Sequence, residues 1–138
     1  MGRYDGYSWV YSPKAVKVPE KLKAEIDKKL GEWIAILKKK YIKEIPKILD
    51  RNYVIDIYGE WIQNRFYLCS KYKCQNGYIY TEFENKFARL EYTGKRFSDK
   101  DNFQLFFMRY TGEWIKVLED KSLNKCIEEI KTSHWFVP

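Results

Sequence analysis

Cys69, Cys74, Cys126 and the single His134 carry the softest and most nucleophilic chemistry in this chain. A structural zinc site gathers four such ligands, often from close C-x-x-C pairs. Cys69 and Cys74 stand five positions apart in a segment of strand character, and an odd separation sends them to opposite faces. Cys126 falls on the apolar stripe of a short helix, so ordinary buried thiols are the expected state, with no metal and no cofactor. His134 would have to serve any Ser-His-Asp or Cys-His arrangement alone, and no spacing requires that it does. Asp56 and Glu60 share a strand face and could act as paired carboxylates. Arg89, Glu91 and Arg109 on neighbouring segments make a solvated cross-strand charge lattice a sufficient account of that pair. The seven glycines are scattered and read as turns rather than as a phosphate-binding loop. No catalytic residue is assigned, and the balance leans away from an enzyme.

Charge and rings point further. In 138 residues, 26 Lys and Arg face 19 Asp and Glu, giving a net charge of +7, and aromatics reach 18%. Such a balance favours anionic partners, chiefly RNA or ribonucleoprotein such as the ribosome. Two segments combine cations with rings, the pairing that single-stranded nucleic acid needs for phosphate contact and base stacking. The N-terminal one holds Arg3, Tyr7, Trp9, Tyr11 and Lys14; the other places Arg65, Tyr67, Lys71 and Lys73 on one strand face, opposite Phe66, Leu68 and Tyr72. These nine residues are the candidate nucleic-acid interface. A protein-interaction module, its exposed rings forming the hot spot, is the alternative, and a small enzyme of unknown class the third reading. Lysine that merely keeps the chain soluble would give the same composition. The run Lys38-Lys39-Lys40 adds nothing, because cations at a helix C-terminus are favoured by the dipole alone.

The elements that must position these residues follow from periodicity. Residues 1–18 read as an irregular aromatic segment punctuated by Gly2, Gly6 and Pro13. A helix over 19–45 opens at Pro19 and carries Leu22, Ile26, Leu30, Trp33, Ile34, Leu37 and Tyr41 as one apolar stripe, until Pro46 stops it. The period then falls to two over 52–118, with strands at 53–61, 65–73, 86–92, 103–110 and 113–118 separated by turn residues. A C-terminal helix over 122–132, capped by Ser122 or Asp120, carries Leu123, Cys126, Ile127 and Ile130, and the tail to Pro138 is apolar enough to dock. The expected fold is one α+β domain spanning 1–138, an antiparallel sheet of four to five strands packed on the long N-terminal helix. Leu22, Ile26, Trp33, Ile34, Leu37, Leu68, Leu90, Phe106 and Ile127 are its expected core. No run of about 18 apolar residues is present for a membrane span. The sparse, odd cysteine set points to a reducing compartment, the cytoplasm, and the protein is expected to be a monomer.

Several stretches together resemble a small prokaryotic family of uncharacterised proteins. They are Ser8-Trp9-Val10-Tyr11-Ser12-Pro13, Tyr53-Val54-Ile55-Asp56-Ile57-Tyr58 with Trp61, Phe87-Ala88-Arg89-Leu90-Glu91-Tyr92, and Met108-Arg109-Tyr110-Thr111-Gly112-Glu113-Trp114, closed by Cys126-Ile127-Glu128-Glu129-Ile130 and Phe136-Val137-Pro138. The resemblance covers nearly the whole chain and implies a single domain, with no activity to carry over. It also implies a histidine where Tyr110 stands; were that histidine catalytic, this chain could not use it.

Overall fold

A computed structural model describes residues 16–42, 52–76, 79–95 and 99–138. The aromatic segment 1–15 and the stretch 43–51, which contains the expected helix end and Pro46, lie outside the described residues. The order is α1 (Glu20–Tyr41), β1 (Asn52–Ile62), β2 (Arg65–Asn76), β3 (Ile79–Gly94), β4 (Asn102–Met108), β5 (Trp114–Lys121) and α2 (Leu123–Thr132). The fold is α+β, with five strands side by side in chain order and every neighbouring pair antiparallel. Short connections leave that arrangement as the direct one.

α1 follows Pro19, whose φ of −58° suits a helix start, and ends where Ile42 N donates to Lys38 O at 3.0 Å. Its stripe buries Ile26, Leu30 and Leu37, with Leu22, Trp33 and Ile34 half-buried beside them. α2 starts at Ser122, whose hydroxyl accepts from Lys125 N at 3.2 Å. One hydrophobic cluster joins these helices to Ile57, Phe66, Leu68, Leu90, Tyr92, Phe103 and Leu105 of the sheet. The registers place those sheet residues on one face, since partners such as Phe66 and Leu90, or Leu90 and Leu105, stand directly opposite each other. Phe136 of the tail is buried in the same cluster, and Trp135 stacks on Phe107 at 4.7 Å.

The hairpins are locked by particular residues. Asn64, buried in the β1–β2 turn, donates from Nδ2 to Tyr92 O at 2.7 Å, while its own carbonyl accepts from Tyr92 N at 2.9 Å. Gly59 lies under the Phe66 ring, and a Cβ there would stand 2.2 Å from Phe66 Cζ. Gly112, with φ of +90°, closes the β4–β5 turn in the left-handed region.

Three expectations need correction. β3 was placed at 86–92 but begins at Ile79, because Ile79-Tyr80-Thr81-Glu82-Phe83-Glu84 pairs with β2 although its glutamates weaken the strand signal. β5 runs to Lys121 rather than Leu118, which leaves Asp120 inside the strand and Ser122 as the cap of α2. Phe106, assigned to the core, is indeed only 8% exposed but sits opposite Arg89, on the face turned away from the helices.

Candidate functional site

The face of the sheet away from the cluster is built from every second residue of five strands. Tyr58 and Glu60 of β1, Arg65, Tyr67, Cys69 and Lys71 of β2, Glu84, Lys86, Arg89 and Glu91 of β3, Phe106 of β4, and Trp114 and Lys116 of β5 all belong to it. No described helix lies over it. Charged side chains cover its rings instead.

Half of this face is a carboxylate–lysine–thiol cluster. Lys86 Nζ pairs with Glu84 and lies 3.4 Å from Glu60 Oε2. Tyr58 donates its hydroxyl hydrogen to Glu84, and Cys69 Sγ points at Glu60 Oε2 from 3.9 Å. The bonds from Lys86 and then Tyr58 pull the Glu84 carboxyl below its ordinary pKa, and the bond to Glu84 raises that of Lys86. Burial, followed by the Glu84 charge, pushes the Cys69 thiol up to about 12, so it stays protonated at neutral pH. Burial and then the bond to Glu84 raise the Tyr58 phenol as well.

Glu60, Cys69 and Glu84 each bring a possible ligand atom within 4.8 Å of the other two. Two carboxylates and a thiol could hold a divalent ion such as zinc. A metal here would have to displace the Lys86 ammonium, which already supplies the positive charge between the carboxylates. Cysteine and histidine spacing gave no sign of this convergence; only strand register creates it, by setting Cys69 opposite both Tyr58 and Lys86. Cys126 is on the helix side of the sheet, with its thiol pushed up to about 12 by burial.

The other half alternates cations and rings. Lys86 Nζ lies 5.6 Å from the Tyr67 ring centre, and Tyr67 meets Trp114 at 5.7 Å. The Arg89 guanidinium stands 3.9 Å over Phe106 and 5.2 Å from Trp114, and Lys116 Nζ lies 5.9 Å from Phe106 on the same face. Arg89 Nε is buried without a hydrogen-bond partner among the described residues, and the Glu91 carboxylate is 4.0 Å from its Nη2. Beside this ladder, Glu84, Asn85, Lys86, Met108, Arg109, Tyr110 and Gly112 line a cavity of about 600 Å³. Tyr110 is 95% exposed at its rim, with Arg109 5.9 Å from its ring.

The family model for a domain of unknown function, DUF3024, matches residues 18–138. The chain belongs to this family. No curated protein and no solved structure gives a match. In the DUF3024 domain the sequence candidates separate into three groups. Arg3, Tyr7, Trp9, Tyr11 and Lys14 lie outside the described residues. Arg65, Lys71 and Lys73 share the face that alternation assigned to them, but acids stand beside Arg65 and Lys71, and Lys73 lies over the Tyr80 ring. Arg65 Nε meets Glu91 Oε1 at 3.0 Å, and Lys71 stands between Asp56 and Glu84 in register. Tyr67, expected as an open ring, is only 7% exposed. A purely cationic face is therefore replaced by a charge lattice, because β1 and β3 contribute glutamates that β2 read alone does not show. Lys86, Arg89, Phe106, Tyr110, Trp114 and Lys116 were missed. Their signal is a cation or a ring at alternate positions, which a strand taken alone assigns to a solvated lattice, as at Arg89, or to the core, as at Phe106.

Proposed function

We propose that this DUF3024 chain is a small binding protein that contacts single-stranded RNA, or RNA within a ribonucleoprotein such as the ribosome, through the face of the sheet not covered by its helices. The observation that carries this reading is the ladder Lys86–Tyr67–Trp114–Arg89–Phe106–Lys116 with Tyr110 exposed beside it. Tyr110 would supply an open stacking surface and the neighbouring cations phosphate contacts, while Tyr67 and Phe106 would be reached only when the cations over them swing aside. The Arg89 guanidinium lies over Phe106 with Glu91 4.0 Å away, and its donors would reach a phosphate by swinging off that ring. Arg3, Tyr7, Trp9, Tyr11 and Lys14 are retained as candidate RNA contacts on their residue types alone, with Arg65, Lys71 and Lys73 at the margin of the described face. The same reading takes residues 1–138 as one domain with the sheet packed on α1, acting as a monomer in the cytoplasm without metal or cofactor. No helix among the described residues is long and apolar enough to cross a membrane.

Fluorescence anisotropy with a labelled single-stranded RNA over a salt series tests it. Affinity should fall with salt, and Lys116→Ala should lessen the log–log slope by roughly 0.7, the change for one phosphate of a single strand. Tyr110→Ala should weaken binding by about tenfold at unchanged slope, a loss within the ~1–3 kcal/mol of one stacked base. Folding is unthreatened because the ring touches almost nothing. Absence of binding at low salt, or binding indifferent to salt, would overturn the reading.

A further inference from the structure

β3 is 16 residues long and pairs with β2 along its whole length, from Asn76 opposite Ile79 to Arg65 opposite Glu91. β4 meets only its second half, from Ala88 to Gly94, because the chain leaves the sheet after Met108 and turns at Gly112. On the side away from β2, no described strand pairs with residues 79–87. Every second residue of an antiparallel strand turns its N–H and C=O toward that side, so this stretch is a template for one more strand. The cavity of about 600 Å³ lined by Glu84, Asn85, Lys86 and Met108 lies in the corner where β4 stops.

We infer that this edge binds an extended basic peptide segment by strand addition. The side chains set the partner's chemistry. Ile79, Thr81 and Phe83 alternate with Tyr80, Glu82 and Glu84, and all six are exposed. Directly opposed residues of an antiparallel pair share a face, so the incoming strand presents one side to Tyr80, Glu82 and Glu84 and the other to Ile79 and Phe83. Of these, Glu84 already holds Lys86 and Tyr58. Lys73, the β2 neighbour of Glu82, holds its ammonium 4.2 Å from the Tyr80 ring, which leaves the Glu82 carboxylate to a newcomer. Lysine or arginine alternating with apolar residues fits both sides. A second copy of this chain is disfavoured in the registers centred on Glu82 and Phe83. Two-fold pairing of β3 with itself opposes Glu82 to Glu84 when centred on Phe83, and Glu82 to its own copy when centred there. Such like-charge pairs destabilise a sheet. Centring on Glu84 or Asn85 would instead set a glutamate opposite Lys86, so the two occupants are separated by the test below. The recognition mode is main-chain hydrogen bonding for affinity and alternate side chains for specificity.

The test uses the full chain, isotope-labelled, with a short peptide of alternating lysine and valine. Backbone amide shifts should concentrate in residues 79–87, and a glutamate–valine peptide should produce none. Glu82→Lys should weaken binding about tenfold, through one lost attraction and one added repulsion. N-methylation of alternate peptide residues should abolish binding in one of the two possible phases and spare it in the other, which reports main-chain pairing without altering the protein. Equal binding by both peptides, shifts confined to other elements, or indifference to N-methylation in both phases would overturn the inference. So would shifts at 79–87 produced by single-stranded RNA instead of the peptide, or a rise in mass with concentration involving the same amides, which would make a second copy the occupant.

Discussion

The two faces of the sheet use the same residue types for different ends. β4 shows this along one strand: Phe103 and Leu105 point into the cluster shared with the helices, while Phe106 points away from it, between Arg89 and Lys116. Both phenylalanines are almost fully buried. One is covered by apolar atoms that exclude water on folding, the other by the stems and heads of long cations. Burial alone therefore does not mark core; the nature of the covering group does. A cover of charged side chains can be moved aside at modest cost, because long cations regain hydration when they swing away. A cover of packed helix cannot.

Truncation on each face should break this comparison most visibly. Phe103→Ala is expected to cost about 3–5 kcal/mol, the range for a large ring removed from a closed core. Phe106→Ala should cost clearly less, since solvent and the Arg89 side chain can fill the space. Chemical denaturation of both variants checks the ratio, and equal losses would mean that the face turned from the helices is as tightly closed as the other. Next in size is Gly59→Ala. The added methyl would collide with the Phe66 ring, and shifting that buried ring should cost about 1–3 kcal/mol, read from the same denaturation midpoints. An unchanged midpoint would show that Phe66 has room to turn.

The smallest effect sharpens the inner face by pH. Tyr92 donates its hydroxyl hydrogen to Asp101 at 2.6 Å, and burial followed by that bond raises the phenol from 10.0 to about 12. Between those values the unfolded chain releases a proton that the folded chain keeps, so this contribution is full below about pH 10 and is lost as pH climbs toward 12. Tyr92→Phe should flatten the fall of stability above pH 10 relative to the parent chain, measured as denaturant midpoints across that window. An identical fall in both would assign the alkaline loss to other groups.

Much of the inner face was legible in the sequence. Leu22, Ile26, Leu30 and Leu37 recur at helical spacing, and Phe66, Leu68 and Leu90 alternate in strands, because burying one stripe or one side demands that periodicity. Ser122 announced α2 by the chemistry of capping. The candidate site was far less legible. Glu60, Cys69, Glu84 and Lys86 come from three strands, and nothing within any one of them says which residue of the next will stand opposite. Arg89 and Phe106 each look ordinary alone and become a cation–ring pair only across the β3–β4 register.

The sequence by itself determined the element types and order, the apolar side of the helices and of β2, and the excess of positive charge, since these depend on local propensity and composition. Tertiary structure decided which acids answer which bases, that Phe106 lies outside the core, and that β3 outruns β4, leaving residues 79–87 unpaired on that side by any described strand. Those outcomes depend on pairing between segments distant in the chain. A register is fixed by the packing of a whole face, and a shift of one residue would send every side chain to the other side.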